Sequence, residues 1–530
     1  MQNKTALRPI FVAIILAIGV LIGVIIGQRN GSIQFLPTAS NSVSKVDEIL
    51  SQIQLDYIEE VNTDSLLDIA LGDILKSLDP HSSYIPAKNY DKVAENIEGS
   101  FDGIGVQFSI QEDTIIVESP IIGGPSEALG IKAGDRIITV DGELVAGVGF
   151  TNTKVIKSLR GPKGSIVKVG IYRKGNAELL DFDIKRDKIP VYSIETSYLL
   201  EDEIGYIKLS RFASQSYEEF VTALIELQQQ GANKLVFDLR GNPGGLLHIC
   251  GAIADELLPG GKLIVYTKGR TRKREDIYAT QNGRFKTQEI VILIDEGSAS
   301  ASEIIAGALQ DNDRAKVIGR RSFGKGLVQE PRQMSDGSAI HLTTARYYTP
   351  TGRCIQKSYE NGIEAYQMEQ YQRFDKGTVR ESDSSLFADS LRFVTPGGKV
   401  VYGGGGIMPD IYVPVDTAGV SDWYYQVVRR GNLRNFCFEY ADTHREELLA
   451  SGGAKEFHKK FNVSESLYKE FYNSLNNVTA NKAQETQSKY LIKSQLKALI
   501  GRQIFGNEAM YREFNSGDPV IKAALKELNK

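Results

Sequence analysis

Two residues twenty-five positions apart could do chemistry together: Ser300, in SASASE, and Lys325, in GRRSFGKG. A serine hydroxyl is a weak nucleophile until a base takes its proton. A lysine can be that base if burial or a nearby cation keeps its amine neutral. The pair therefore suggests a Ser-Lys hydrolase, in which lysine stands where histidine more often does. Each half has a plainer reading. Ser300 with Glu303 three residues on fits a capping box, serine capping a helix and glutamate reaching back. GRRSFGKG nearly matches a phosphate-binding loop, with Gly319, Gly324 and Lys325 correctly spaced. Gly326, however, stands where that motif needs a hydroxyl for magnesium, and an extended run follows instead of a helix, which excludes the nucleotide reading.

The elements around these residues must bring them together. The apolar run Ile290 to Ile294, bounded by Asp295, Glu296 and Gly297, predicts a buried strand. Ile304, Ile305, Ala308 and Leu309 recur at helical spacing, so a strand, a turn and a helix place Ser300 at a helix N-terminus. Ala315 to Ile318 is a second short strand, and Gly324 and Gly326 let the backbone beside Lys325 pack closely. Gln329 lies an even number of residues beyond Lys325. On one extended strand both side chains would leave the same face, and an amide there could orient the amine without holding it protonated.

Further out, IGYIKLSRF predicts a strand, Ser216 to Gln230 a helix, Lys234 to Gly245 a buried strand running into a glycine turn, and Leu246 to Leu258 a helix. This alternation predicts an α/β core over residues 187–415. Within it, Lys357 to Lys399 is polar without sustained period and is predicted to be an insertion, after which Gly403 to Val413 restores order. Residues 416–530 carry helical pattern at Trp423 to Val428, Glu446 to Phe461, Ser464 to Leu475 and Lys489 to Phe505, with no catalytic constellation: an accessory helical domain. Upstream, residues 31–98 follow a polar linker with helices at Val43 to Tyr57 and Thr63 to Leu78, the second stopped by LDPHSSY, where His81 reads as a turn residue. Residues 99–186 are short strands punctuated by glycine.

At 530 residues the chain has room for several cores, and a net charge of -4 with 24% charged residues gives no sign of a nucleic-acid partner. Three cysteines (Cys250, Cys354, Cys437) and five scattered histidines fit neither a disulfide framework nor a metal site, so no metal or cofactor is expected. Residues 1–30 stand apart. Ile10 to Gly27 is uninterrupted apolar or glycine sequence with Lys4 and Arg8 before it, long enough to span a bilayer with the N-terminus in the cytoplasm. With no small-residue cleavage site after Gly27, a retained signal anchor is expected rather than a cleaved signal peptide.

Two resemblances add to this. Residues 99–186 resemble a PDZ domain in GIGV (Gly103, Ile104, Gly105, Val106), the small-residue helix PSEALG, the turn IKAGDRIITVDG and a second helix near Thr153 to Leu159. That implies capture of a peptide C-terminus by strand addition, its carboxylate held by backbone N–H groups of the GIGV loop. Arg160, after the second helix, could reach another domain or remain solvated. DLRGNPGG, GSASASEIIAGALQD, SFGKGLVQ and YYTPTGRCIQ, in this order behind the PDZ-like segment, resemble the carboxy-terminal processing proteases of the S41 serine peptidase family. The resemblance implies Ser300 as nucleophile, Lys325 as general base and Gln329 as third member of a triad. It implies an oxyanion hole from Ala301 N–H and a donor at Gly244 or Gly245. It matches Asp311 to an accessory acidic position, for which a surface or capping carboxylate is the alternative reading.

The fold expected is therefore multidomain α+β: an α/β crotonase-like protease core with an upstream PDZ domain, N-terminal helices and a C-terminal helical domain. The function expected is a membrane-anchored serine endopeptidase acting on protein substrates held by their C-termini. It would be single-pass in a bacterial inner membrane, with its catalytic part in the periplasm or cell exterior. The helical segments at either end are candidates for homodimerisation or for docking an adaptor. The rival readings are a silent PDZ scaffold tethering partners and, through the shared core, a crotonase-like acyl-CoA enzyme.

Overall fold

The structure, a computed structural model, describes residues 41–375, 389–475 and 478–530. The apolar segment 10–27 lies outside the described residues, among which no helix is long and apolar enough to cross a membrane. Residues 41–74 carry the helix Asn41–Asp56 and most of Thr63–Lys76, within two residues of the predicted spans.

From residue 75 onward the chain builds two sheets and a barrel-like module around separate apolar clusters. The module is the PDZ-like segment, with strand order Val106–Gln111, Thr114–Pro120, Arg136–Val140, Ile166–Tyr172 and Leu180–Lys185, all antiparallel. Its core joins Ile115, Val117, Ile137, Val167, Val169 and Ile171 to Val155 and Leu159 of the helix Asn152–Leu159. Val106–Gln111 is an edge strand, so its outer backbone is open to a further strand. Ser100–Gly103 pairs with Asp187–Pro190 where the chain enters and leaves this module.

The α/β core is a six-stranded sheet ordered Ile194–Glu201, Ile204–Leu209, Lys234–Asp238, Glu289–Ile294, Lys316–Gly319 and Ile411–Tyr412, parallel after the first pair. Strand residues alternate between two covered faces. Leu235, Phe237, Ile290, Ile292 and Ile294 face the helices Ser216–Gln229, Leu247–Leu257 and Ala301–Asp311. Val236, Val291, Leu293 and Ile318 face Val520, Ile521, Ala524 and Leu528 of the helix Pro519–Leu528. A strand buried on both faces reads as one continuous apolar run, and here it needs a cover on each side. A second, antiparallel sheet centres on the long strand Ala339–Tyr348, which pairs with Ser83–Ile85, Leu263–Lys268 and Leu327–Gln333.

Residues 416–530 divide between two roles. One group of helices packs on itself around Trp423, Phe457, Tyr468, Phe471, Ile492 and Leu496. The last helix belongs to the core sheet, and Arg240 ties it there through Asp518 at 2.5 Å. The single helix predicted over Glu446 to Phe461 is two, Arg445–Leu449 and Ala454–Lys460. Gly452 and Gly453, at φ +98° and +118°, break it in the left-handed region that favours glycine. The insertion also differs from expectation. Ile363–Asp375 is a helix whose weak amphipathic pattern hid it, because it is held by polar contacts and not by an apolar stripe.

Ile521 is 1% exposed in the sheet-facing cluster. Ile521→Ala is expected to cost about 2–5 kcal/mol of stability, seen as a lowered denaturation midpoint. A midpoint equal to wild type would mean that the last helix is not part of the core.

Candidate active site

The turn before the Ala301–Asp311 helix is held by its own polar atoms. Asp295 accepts from Gly241 N–H (2.8 Å) and Gly297 N–H (3.0 Å). The Ser298 hydroxyl donates to Leu239 O (2.8 Å), and that of Ser302 to Asn242 O (2.9 Å). The serines flanking Ser300 thus fasten it to the glycine turn of the neighbouring strand. Ser300 has φ +54° and ψ -114°, backbone that costs a side-chain-bearing residue roughly 1–3 kcal/mol. Such strain persists where surrounding bonds over-determine it, and a serine thrust out on a sharp strand-to-helix turn is a recognised nucleophile geometry.

Gly244 and Gly245 lie against this turn, at φ +100° and +148°. A Cβ on Gly244 would come 2.7 Å from Ser300 Cβ, and one on Gly245 would come 2.1 Å from Phe212 O. The two glycines are not equivalent as donors. Gly244 N–H already donates to the Asn242 side-chain oxygen (2.8 Å). Gly245 N–H and Ala301 N–H have no acceptor among the described residues. Of the two glycines the sequence left as alternatives, Gly245 is the one whose N–H, like that of Ala301, is open among the described residues.

Lys325 follows the same logic of shared partners. Glu303 is wholly buried, and one of its oxygens accepts from both Ser300 N–H (2.9 Å) and Lys325 N–H (2.8 Å). The other accepts from the Ser322 hydroxyl (2.5 Å) and Gly324 N–H (2.8 Å). Burial pushes the Glu303 carboxyl up to about 7 against the pull of these four donors. On the far side the buried Tyr347 hydroxyl meets both carbonyls, 3.1 Å from Ser300 O and donating to Lys325 O. The Lys325 amine makes no hydrogen bond or ion pair among the described residues. Burial lowers its pKa, while the charges of Glu303 and Asp79 pull it back.

Gln329 sits differently from the prediction. Lys325 is in a loop that precedes the strand Leu327–Gln333, and the strand's pairing shifts register between Val328 and Gln329. Regular alternation therefore does not relate the two side chains. The Gln329 amide donates to the Thr343 hydroxyl (3.2 Å), and Thr343 N–H donates to Ser82 Oγ (3.2 Å). Ser82 in turn donates to Asp79 (2.6 Å). All six of Ser300, Ala301, Lys325, Gln329, Gly244 and Gly245 line one cleft of about 720 Å³, whose other walls are largely apolar.

Three further contributors went unread in the sequence. His81 does lie in a turn, but it packs edge-on against Phe323 and Tyr366 and shares a 2.8 Å hydrogen bond with the Tyr366 hydroxyl. Burial first, and the Lys325 charge second, lower its pKa to about 4, so it is neutral. Arg373, on the insertion helix, donates to the carbonyls of Ser322 (2.8 Å), Arg321 and Phe323, bracing the loop that carries Lys325. Lys357 stands about 4 Å above the Phe323 and Tyr366 rings and pairs with Glu369. Only a partner hundreds of residues away identifies His81, and an arginine aimed at carbonyls leaves no periodic signal.

Two proposed site residues are elsewhere. Asp311, neither a surface nor a capping carboxylate, is fully buried in an ion pair with Arg353 (2.6 Å) and accepts from Thr351. The ten helical steps from Ala301 alone carry it about 15 Å along the axis, and it does not line this cleft. Arg160 does reach another element, pairing with Glu95 (2.6 Å) and stacking on Phe101, but it does not line the cleft. In the GIGV loop, Ile104 O accepts from Ser126, and Gly103 pairs with Asp187. The N–H groups of Ile104 and Gly105 have no acceptor among the described residues, beside the open edge of Val106–Gln111.

Comparison with known proteins gives consistent matches. The profile of peptidase family S41 covers residues 203–365, that of the PDZ domain residues 103–185, and a family of unknown function, DUF8443, residues 423–506. The carboxy-terminal processing protease CtpA of Bacillus subtilis is 34% identical over 358 residues, 67% of this chain and 76% of that protein. The carboxy-terminal-processing protease of Bartonella bacilliformis is 37% identical over 319 residues, 59% and 72% respectively. A solved photosystem II D1 C-terminal processing protease aligns at 26% identity over 70% of this chain and 88% of that one, with a TM-score of 0.35.

All four groups that Glu303 binds are donors, so an amide in its place turns an NH2 toward two of them. Glu303→Gln is expected to cost about 2 kcal/mol or more and to open residues 319–326 to hydrogen exchange. Wild-type protection there would show that the carboxylate does not hold the loop.

Proposed function

This chain belongs to peptidase family S41, as a carboxy-terminal processing serine protease with a PDZ domain, and from that premise we propose that Ser300, Lys325 and Gln329 carry the reaction. The observation that carries this reading is the single Glu303 oxygen that receives the N–H of both Ser300 and Lys325 inside the cleft. The neutral Lys325 amine takes the Ser300 proton as the hydroxyl attacks the scissile carbonyl. The oxyanion forms against Ala301 and Gly245 N–H, donors already in place and without other partners. Lysine then returns the proton to the leaving amine, and water, activated by the same amine, releases the acyl group from Ser300. Gln329, anchored through its NH2 on Thr343 in the same cleft, offers an amide oxygen that can orient the lysine without adding charge.

The PDZ domain presents the substrate. A polypeptide C-terminus adds to the Val106–Gln111 edge, its carboxylate on the free N–H groups of Ile104 and Gly105. Residues 10–27 anchor the protein in the membrane, with everything after about residue 30 outside the cytoplasm; the length and apolarity of that segment and the positive charges before it support this reading.

Cleavage of an unfolded reporter with an apolar C-terminus by the full chain tests the mechanism. Ser300→Ala and Lys325→Ala are each expected to lose at least about 10³-fold in kcat. Activity shared equally by wild type and both variants would place the chemistry elsewhere, and a wild type inert on every reporter would favour the scaffold.

The pH dependence has a definite sign. Only deprotonated lysine is a base, so kcat/KM rises as pH climbs through the Lys325 pKa, which burial holds below the ordinary 10.5. Lys325→Arg, protonated throughout the range, is expected to be inactive at every pH. A profile that falls with rising pH from neutrality would rule out lysine as the base.

A further inference from the structure

Arg211 follows the strand Ile204–Leu209 at the edge of the cleft. Its neighbour Phe212 is buried and joins the glycine turn through its backbone: Phe212 N–H donates to Gly244 O (3.0 Å), and Leu246 N–H donates to Phe212 O (2.8 Å). Arg211, half-buried beside the buried Phe212, lines the same cleft as Ser300 and Gly245.

The guanidinium has no hydrogen bond and no ion pair among the described residues. Other arginines of the core are matched: Arg240 with Asp238 and Asp518, Arg320 with Glu296, Arg353 with Asp311. Glu219 feels the Arg211 charge but makes no ion pair with it, and one of its oxygens, Oε2, accepts from Ser193 N–H (2.7 Å) and Ile194 N–H (2.9 Å). The cleft lining holds neither aspartate nor glutamate. The histidine in that lining, His341, is kept toward the neutral form by burial and then by the Lys325 charge. A half-buried guanidinium in an acid-free cleft has its donors set for a carboxylate that the chain does not supply.

We propose that Arg211 is a specificity residue, forming a subsite for an aspartate or glutamate side chain of the polypeptide substrate close to the scissile bond. The proposal rests on the reading of Ser300 as the nucleophile of this cleft.

The test uses the full chain and reporters identical but for Glu or Gln at each position within three residues of the cut. The readout is the ratio of kcat/KM for Glu over Gln within each enzyme, so a variant that is merely slower cancels out. At one position wild type is expected to favour Glu by about tenfold, a typical effect of a partly desolvated charge pair. The ratio falls to about one in Arg211→Gln and inverts in Arg211→Glu, which instead favours Lys. Ratios independent of residue 211 at every position, with Ser300→Ala inactive, overturn the subsite and leave the protease reading standing. A dependence on residue 211 that follows amidation of the reporter's C-terminus, and not Glu to Gln, assigns Arg211 to the terminal carboxylate and overturns the side-chain subsite. Cleavage by Ser300→Ala at the wild-type rate removes the reading on which the proposal rests, and the proposal with it.

Discussion

The site depends on one buried carboxylate. Glu303 has no ion pair among the described residues and is solvated by four donors, the N–H groups of Ser300, Gly324 and Lys325 and the hydroxyl of Ser322. Taking a carboxylate out of water costs several kcal/mol unless such donors replace it. Every one of them comes from the start of the Ala301–Asp311 helix or from the loop ending at Lys325. Solvating the carboxylate and assembling the site are thus the same event. Tyr347 completes the arrangement from the opposite side by meeting the carbonyls of the same two residues.

This arrangement resolves a conflict that any lysine base presents. A carboxylate near the amine favours the charged form, which cannot act as a base, whereas burial favours the neutral one. Glu303 does raise the lysine's proton affinity, but less than burial lowers it. Its oxygens face the backbone of the lysine loop, each already receiving two donors, so they hold the residue in place without binding its amine. The neighbouring imidazoles, His81 and His341, are themselves turned toward neutrality by burial and by the lysine. The amine is left with few charges able to keep its proton.

Much of this was legible in the sequence because it is local. The apolar run before Asp295 and the helical spacing after Ser300 place the turn, and Glu303 at the third helical position gives the glutamate half of a capping box, which forms. The longer reach of that glutamate to Ser322, Gly324 and Lys325 had no local signal, since those donors lie about twenty residues on. The same reason hid His81, Tyr347 and Arg373, whose roles depend on partners across the fold. Lys325 and Gln329 line the same cleft, but not through even spacing on one strand, because Lys325 precedes the strand and a bulge follows it. The last helix was placed among accessory helices because nothing in its own pattern says that it covers a distant sheet.

Asp311 and Arg211 show what separates a structural charge from a functional one. Both stand in segments adjoining the turns that line the cleft, and the family resemblance singled out Asp311. Helix rise instead carries it to the far end of its helix, where Arg353 and Thr351 occupy its oxygens and leave nothing to offer a substrate. Arg211 received no attention in the sequence, being one arginine in a strand-ending LSRF. In the fold it lines the cleft without a hydrogen bond or ion pair among the described residues, while Oε2 of Glu219, a carboxylate near enough to sense it, is bound by two backbone N–H groups. A buried charge with all its bonds made can be removed only by damaging the core. A half-buried charge with its donors open keeps them for whatever enters. On that criterion Asp311 belongs to the scaffold, and Arg211 is the charge left open to a substrate.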